Sequence, residues 1–386
     1  MPDVHAKLSA SAAHRWLNCP PSVRLSENIP DNPSTYAAEG TLAHSLAELK
    51  VRKKFEKMKP SEYNAALKKI QTDTLYAPEM DSHTDTYLDY ILSVAHSYNR
   101  VKPYVVAEKR LDYSLIAPGG FGTCDCVMLC KNDLHIFDFK YGKGVPVSAE
   151  NNPQLRLYAL GALNEYSFLY DIQTVTMHII QPRLDSISSE LLSVGELTAW
   201  GESIKPIAQA ADKGEGELKC GDWCKFCKAN ATCRARAEYF LATEETAKIP
   251  PELLSSAELG DVLSRVRAMK TYIEDIEAYA LNEVLAGRTV DGWKAVEGTS
   301  KRVITDVDAA FKVLTDNGYD EAVLYERKPI GITALETLLT KKKFAELIGT
   351  YIQKPKGKPT LVPTSDKRAE YKSVDVNEIF GGNNNE

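Results

Sequence analysis

Asp138 and Lys140 stand two residues apart at the end of the apolar run "LHIFDFKYGKG" (134–144), with glycines following. A β-strand turns alternate side chains to opposite faces, so Ile136, Asp138 and Lys140 share one face and Phe137 and Phe139 the other. Burying either charge unpaired is costly. The pair is therefore a salt-bridged strand end or a catalytic pair, and what else converges on that face decides between them.

Two more acids bear on the choice. Asp125 lies in "FGTCDCVML", where alternation assigns Cys124, Cys126 and Met128 to the opposite, core face and leaves the carboxylate free to sit beside Asp138. Glu108, between apolar neighbours in "YVVAEKRLDYSL", offers a third oxygen donor. Three acids at one sheet edge repel one another, and a divalent cation removes the repulsion, since Mg²⁺ or Mn²⁺ takes oxygen ligands. His44 can add a ligand to it. Lys140 beside such an ion can position, or help deprotonate, a water for in-line attack on a phosphodiester and steady the charge that develops. Gln154 and Tyr158, four apart on a helix and so on one face, can orient a phosphate or Lys140. Each of these, taken singly, is equally a packing residue.

The elements that must position these groups can be read from pattern. "LSASAAHRWLNCPPSVRLSE" reads as a short helix ending at Cys19, stopped by two prolines. "STYAAEGTLAHSLAELKVRKKFEKM" has helical spacing, with Gly40, His44 and Glu48 each four apart on one side, and a second helical region runs from about Glu79 to Asn99. Residues 104–141 then alternate as three antiparallel strands. "NNPQLRLYALGALNEY" opens a helix with Asn152 as cap and Pro153 in its first turn, and "TVTMHIIQPR" is another strand. "TEETAKIPPE" marks a linker, followed by a long amphipathic helix over about Ser255–Ala286 that starts a second, mixed unit ending in the polar tail "GGNNNE".

The eight cysteines fall in three places: Cys19 alone, then Cys124, Cys126 and Cys130, then Cys220, Cys224, Cys227 and Cys233. Clustering of this kind in a cytosolic chain suggests metal before disulfides. The middle three are assigned to the core, where free Cys packs as a small hydrophobe. The last four are compact enough for tetrahedral Zn²⁺ by themselves, and thiolates equally suit an iron–sulfur cluster.

The ordered series Gly40 with His44, Glu108, Asp125, Asp138 with Lys140, and Gln154 with Tyr158 resembles the RecB-like branch of the PD-(D/E)XK nuclease superfamily over residues 8–240. The resemblance implies an α+β, restriction-endonuclease-like core. It also implies that His44, Asp125, Asp138 and Lys140 form a Mg²⁺- or Mn²⁺-dependent nuclease site, with Glu108 accessory and the Gln154/Tyr158 helix supporting it. "CKFCKANATC" with Cys19 is similar to the iron–sulfur-containing subset. In that subset one cysteine before the core and three after it hold a [4Fe–4S] cluster, here Cys19, Cys224, Cys227 and Cys233. Cys220 is an alternative first ligand and Zn²⁺ an alternative metal. The whole chain, through "GWKAVEG" and "GKPTLVPTSDKRAEY", is also similar to an uncharacterised family encoded by bacteriophages and prophages, which implies a place in phage DNA replication or recombination. Its partners would be DNA and a phage recombination or single-strand-binding protein.

A chain of 386 residues, 44% hydrophobic, exceeds one ordinary domain. The expected organisation is a nuclease domain with its cysteine staple over 1–245, an α+β unit over 246–380 and a disordered tail over 381–386. No apolar run is long enough to cross a bilayer and "MPDVHAKLSA" lacks the apolar segment of a signal peptide, so a cytoplasmic location and no membrane partner are expected, and the phage resemblance implies that the cell is a bacterial host. A net charge of −6 argues against a DNA-coating protein but allows a local basic groove, to which "KVRKKFEKMK", "TKKKF" and "KPKGKP" are candidate contributors. Two other classes stand beside an exonuclease: a catalytically silent DNA-binding or recruitment protein that keeps fold and cluster, and a small-molecule enzyme or zinc-stapled scaffold that binds no DNA.

Overall fold

The computed structural model describes residues 6–30, 35–99, 101–242 and 254–296, the segment 306–316, and single positions at 250, 252, 320, 343, 346 and 347. Helices α1 (Ala13–Asn18), α2 (Ser22–Ser26), α3 (Thr35–Phe55), α4 (Pro60–Gln71) and α5 (Glu79–Ser97) come first. Strands β1 (Tyr104–Asp112), β2 (Phe121–Cys130) and β3 (Asp133–Phe139) follow, then α6 (Pro153–Tyr166), β4 (Thr174–Gln181), β5 (Ser186–Ser193), α7 (Val194–Lys213), α8 (Arg234–Leu241), α9 (Ser256–Leu285) and α10 (Val307–Asp316). The fold is mixed α+β, with a five-stranded sheet in the order β1-β2-β3-β4-β5. β3 and β4 run parallel and the other pairs antiparallel. A parallel pair needs a crossover, and α6 supplies it.

Local chemistry accounts for α6. The Asn152 side chain accepts from the N–H groups of Gln154 and Leu155 while Pro153 takes the first turn, where its missing N–H is not needed. The helix lies on one face of the sheet with α1 and α7, around Trp16, Leu111, Ile136, Leu155 and Leu197. On the other face α3 and α5 pack Leu46, Tyr87 and Ile91 against Cys126, Phe137 and Phe139.

Three features depart from the sequence reading. Cys124 and Cys126 do not share a face: Cys124 packs on the α6 side and Cys126 and Met128 on the α3/α5 side. Alternation fails there because the β2–β3 ladder ends at the Cys126–Phe137 pair, and the Phe139 N–H donates to the Asp125 carboxylate instead of to a strand carbonyl. Secondly, α2, α4, α7, α8 and β5 go beyond the elements the sequence pattern marks. Thirdly, part of "KVRKKFEKMK" is taken up internally, since Lys50 is buried against Asp81 and Asp85 and Arg52 pairs with Glu48 and Glu56, while Lys54, Lys57 and Lys59 are exposed.

The chain divides into two compact units, Met1–Val296 and Glu297–Glu386. The long helix expected to open the second unit is α9, started by a Ser255–Glu258 capping box, and it lies in the first. Arg236 of α8 pairs with Asp275 of α9 at 2.6 Å, and Phe240 stacks on Tyr272. Beyond α10 the expected α+β unit, "KPKGKP" and the 381–386 tail lie outside the described residues, as does most of "TKKKF". Among the described residues, no helix is long and apolar enough to cross a membrane.

Candidate active site

All seven residues singled out for chemistry converge where β1, β2 and β3 meet α3 and α6. His44 Nδ1, on α3, lies 3.2 Å from Asp125 Oδ1 on β2. The other Asp125 oxygen accepts from the Phe139 N–H at 2.7 Å. Glu108 on β1 completes a trio with them, with one ligand atom from each residue within 4.8 Å of the others. On the α6 side, Lys140 Nζ sits 2.9 Å from Asp138 Oδ2 and donates to Gln154 Oε1 at 3.0 Å, while Gln154 Nε2 donates to Asp138 Oδ1 at 3.0 Å. One amide thus aligns both members of the acid–base pair. Gln154 Nε2 is also 3.4 Å from the Tyr158 hydroxyl. The Tyr158 ring presses on β2 at Gly122, where an added Cβ would stand 2.8 Å from it, so only glycine leaves room.

Asp138 was expected among the metal ligands with His44 and Asp125. In the structure it is Glu108 that joins His44 and Asp125 within 4.8 Å, and the Asp138 oxygens are turned to Lys140 and Gln154. Glu108 achieves it through its backbone. Its φ is +49° in mid-strand, a left-handed conformation rare outside glycine, and the β1–β2 pairing skips it between Ala107↔Cys126 and Lys109↔Cys124.

The charges are strongly coupled. Burial lifts the Glu108 carboxyl to about 7, helped by Asp125 and Glu48. Burial opposes a charge on His44, yet Asp125, by charge and hydrogen bond, raises it to about 9. Asp125 stays below the usual carboxylate range because His44, the Phe139 N–H and Lys140 outweigh its burial. Asp138 moves the other way, pushed up by burial and by Asp125 against the pull of Lys140. Burial opposes the charge on Lys140, but Asp138 raises its pKa.

A cleft of about 460 Å³ opens onto this group, lined among others by Gly40, His44, Glu48, Glu108, Asp125 and Lys140. Glu48, one helical turn after His44 on the face noted from the sequence, belongs to the site although it was not assigned a role. Thr123 and the loop residues Tyr141 and Gly142 also line the cleft and carried no sequence signal. The donor set of one imidazole and two carboxylates, all pointed at one place, fits a hard divalent cation such as Mg²⁺ or Mn²⁺.

Residues 5–369 match the family described as "Protein of unknown function (DUF2800)". The chain belongs to this family. Among solved structures, the crystal structure of SSO0001 matches with 16% identity over 58% of this chain and 96% of that one, at a TM-score of 0.24. A likeness that loose carries no argument about fold or activity.

In this DUF2800 member the remaining cysteines gather away from the sheet. α1 ends at Cys19, which is buried and whose thiol is pushed up by burial and also by Cys224 and Cys227. Cys224 is lowered to about 6, chiefly by a hydrogen bond from Cys220, and Cys233 acts on Cys220. Ser26 Oγ lies 3.8 Å from Cys227 Sγ. Cys19 thus lies near Cys224 and Cys227, about 200 positions further along the chain, in one thiol-rich region, although among the described residues no three of these thiols stand within 4.8 Å of one another. Cys124, Cys126 and Cys130 are buried in the sheet, as expected.

Proposed function

We propose that this protein is a divalent-metal-dependent deoxyribonuclease with a RecB-like PD-(D/E)XK core, an exonuclease hydrolysing phosphodiester bonds at DNA ends. The observation that carries the reading is the convergence of His44, Glu108, Asp125 and Lys140 on one cleft, with Asp138 and Gln154 bonded to Lys140 behind it. A salt-bridged strand end would need only Asp138 and Lys140.

His44, Glu108 and Asp125 would hold Mg²⁺ or Mn²⁺, with Asp138 beside them. A cation bound there lowers the pKa of an attacking water and offsets charge on the phosphate. His44 carries a proton in the free protein and must release it, as must Glu108 below about pH 7, before either can ligate. Lys140 keeps its proton, so it orients the water and steadies the charge on the phosphoryl oxygens. Gln154 and Tyr158 hold Lys140 and Asp138 in register. Hydrolysis joins the water oxygen to phosphorus, breaks one P–O ester bond and leaves a proton on the departing sugar oxygen.

The thiol pocket is assigned to a [4Fe–4S] cluster on Cys19, Cys224, Cys227 and Cys233, with Cys220 and Zn²⁺ as the alternative ligand and metal. Burial of Cys19 beside Cys224 and Cys227 supports the long-range set. Replacing Cys227 by Ser should lower metal content and soluble yield, because a metal bound only by the folded chain contributes folding energy. A soluble, brown Cys227→Ser protein would remove that assignment. A role in phage DNA replication or recombination, in a bacterial cytoplasm beside a recombination or single-strand-binding protein, rests on the sequence resemblance alone.

The deciding test is cleavage of end-labelled linear and circular DNA, single- and double-stranded, by anaerobically purified protein with Mg²⁺ or Mn²⁺, against Asp138→Ala. Metal-dependent degradation of linear DNA by the wild type only is expected. Equal activity in the variant would refute the site, and binding without cutting would make the protein a silent recruitment factor.

A further inference from the structure

Lys140 is followed by a loop, Tyr141–Ser148, whose sequence "YGKGVPVS" puts Lys143 between two glycines. The side chain of Gln181, at the end of β4, holds this loop. Gln181 is 1% exposed, and three of its side-chain hydrogen-bonding positions are turned to the loop backbone. Its Nε2 donates to the carbonyls of Gly142 at 2.6 Å and Val145 at 2.9 Å, and its Oε1 accepts from the Val147 N–H at 3.1 Å. The ends are tied separately, by the Lys140 N–H to the Ile180 carbonyl and the Ala149 N–H to Ser188 Oγ. Arg183, two residues after Gln181, lies over the Tyr141 ring at 4.7 Å and pairs with Glu39 of α3 at 3.2 Å, bracing the loop's first residue against the helix that carries His44. The base of the loop is therefore fixed and its apex is not. Lys143 is exposed, has no ion-pair partner among the described residues, and follows Gly142, which lines the cleft. A Cβ added at Gly142 or Gly144 would meet nothing within 4 Å, so the apex has open space around it.

The cleft lacks what such an apex supplies. Its lining contains Glu48, Glu108 and Asp125, and its one permanent cation, Lys140, is already paired with Asp138. A phosphodiester strand entering there needs a further positive charge for the phosphates flanking the reacting one. We propose that Lys143 is a phosphate-backbone contact for the nucleic-acid substrate and that Gln181 is the positioning residue that presents it, by clamping the loop at the mouth of the cleft. The ligand is the polyanionic backbone of a nucleic acid, recognised by charge and without reading bases. This rests on the nuclease reading, and the test separates the two.

Binding of a fluorescein-labelled 20-nucleotide DNA, single- and double-stranded, is measured by anisotropy on the full chain with Ca²⁺, over a series of salt concentrations, and cleavage with Mg²⁺ is followed in parallel. Lys143→Ala should weaken binding about 3- to 10-fold and lower the slope of log K against log salt by about one contact's worth. KM should rise with kcat within about twofold, and Lys143→Arg should restore both. Gln181→Leu should weaken binding by the same factor, speed amide exchange at Val147, and add nothing on top of Lys143→Ala. Wild-type affinity and salt slope in Lys143→Ala overturn the proposal while leaving the nuclease reading intact. A wild-type protein that neither binds nor cuts DNA overturns both. If Gln181→Leu does not fold, the two surface variants at Lys143 still decide the contact. Additive losses in the double variant would show that Gln181 does not act through Lys143.

Discussion

Three residues apart on β3, His135 and Asp138 each anchor a buried polar network, and the two networks are built on opposite rules. Around His135 a chain of hydrogen bonds runs from Tyr90 to His178 Nδ1 at 3.1 Å, between His178 Nε2 and His135 Nδ1 at 3.1 Å, between His135 Nε2 and Tyr98 at 2.6 Å, and from Tyr98 to Asp133 at 2.8 Å. Tyr98 donates to the carboxylate, so it accepts from His135 Nε2, and the remaining protons are then placed with both imidazoles neutral. Burial holds these histidines well below their ordinary value, at about 4 for His135 and about 3 for His178. Around Asp138 the network is built on charge: Lys140 keeps its proton and Asp125 its negative charge, while burial pushes Asp138 and Glu108 toward their neutral forms, and the group opens onto a cleft. A saturated chain with both histidines neutral holds β3, β4 and α5 together. An open, charged cluster lowers the stability of the free protein and has a use only when something binds it.

The difference can be broken most visibly at Lys140. Lys140→Ala should reduce DNA cleavage by at least about 100-fold, the size seen when a group stabilising transition-state charge is lost, with far-UV circular dichroism unchanged. His178→Leu should do the reverse. It strips partners from Tyr90 and His135 and should cost about 2 kcal/mol in denaturant unfolding, while cleavage at a temperature where the variant is folded stays within about twofold.

The networks should also respond to pH with opposite sign. A histidine held below its unfolded value of 6.5 binds protons more tightly in the unfolded chain, so its stabilisation is full above pH 6.5 and is lost as pH falls toward 4. Glu108, raised from 4.5 to about 7, and His44, raised from 6.5 to about 9, bind protons more tightly in the folded chain. Stability is lost as pH rises through those windows, by up to about 1.4 kcal/mol per pH unit for each group. The metal-free protein should therefore be most stable near the middle of the range. His178→Leu should flatten the acid side of that profile. Glu108→Gln should reduce only the decline between pH 4.5 and 7. A profile unaltered by either substitution would show that neither network sets it.

The charged network was legible in the sequence because its chemistry is local: acids in apolar strands, Lys140 two after Asp138, and Gln154 and Tyr158 one turn apart. The neutral one was not, because nothing in "LHIF" or "TMHII" fixes the β3–β4 register that places Phe137 opposite His178. β5 escaped for a different reason. Ile187 and Leu191 of "SISSELLS" face outward while Ser188 and Glu190 face the protein, where Ser188 accepts from the Ala149 N–H and Glu190 pairs with Arg156. Its polar side is the buried one, so the usual alternation rule misreads it. The altered facing at Cys124 and the left-handed Glu108 lie together where the β1–β2 pairing skips Glu108 and Asp125, a local irregularity that alternation does not foresee.

The first helices close the molecule like a latch. Trp16 is fully buried, Lys7 reaches Asp212 at 2.7 Å and Cys19 lies among thiols some 205 residues further on. On the ribosome the segment through α2 emerges first, yet its seat on α7 and in the cysteine loop is made last. During synthesis it must wait, unpaired, until α7 and the cysteine loop have left the exit tunnel. A chain that stops short of α7 leaves Trp16 and its apolar neighbours without that seat.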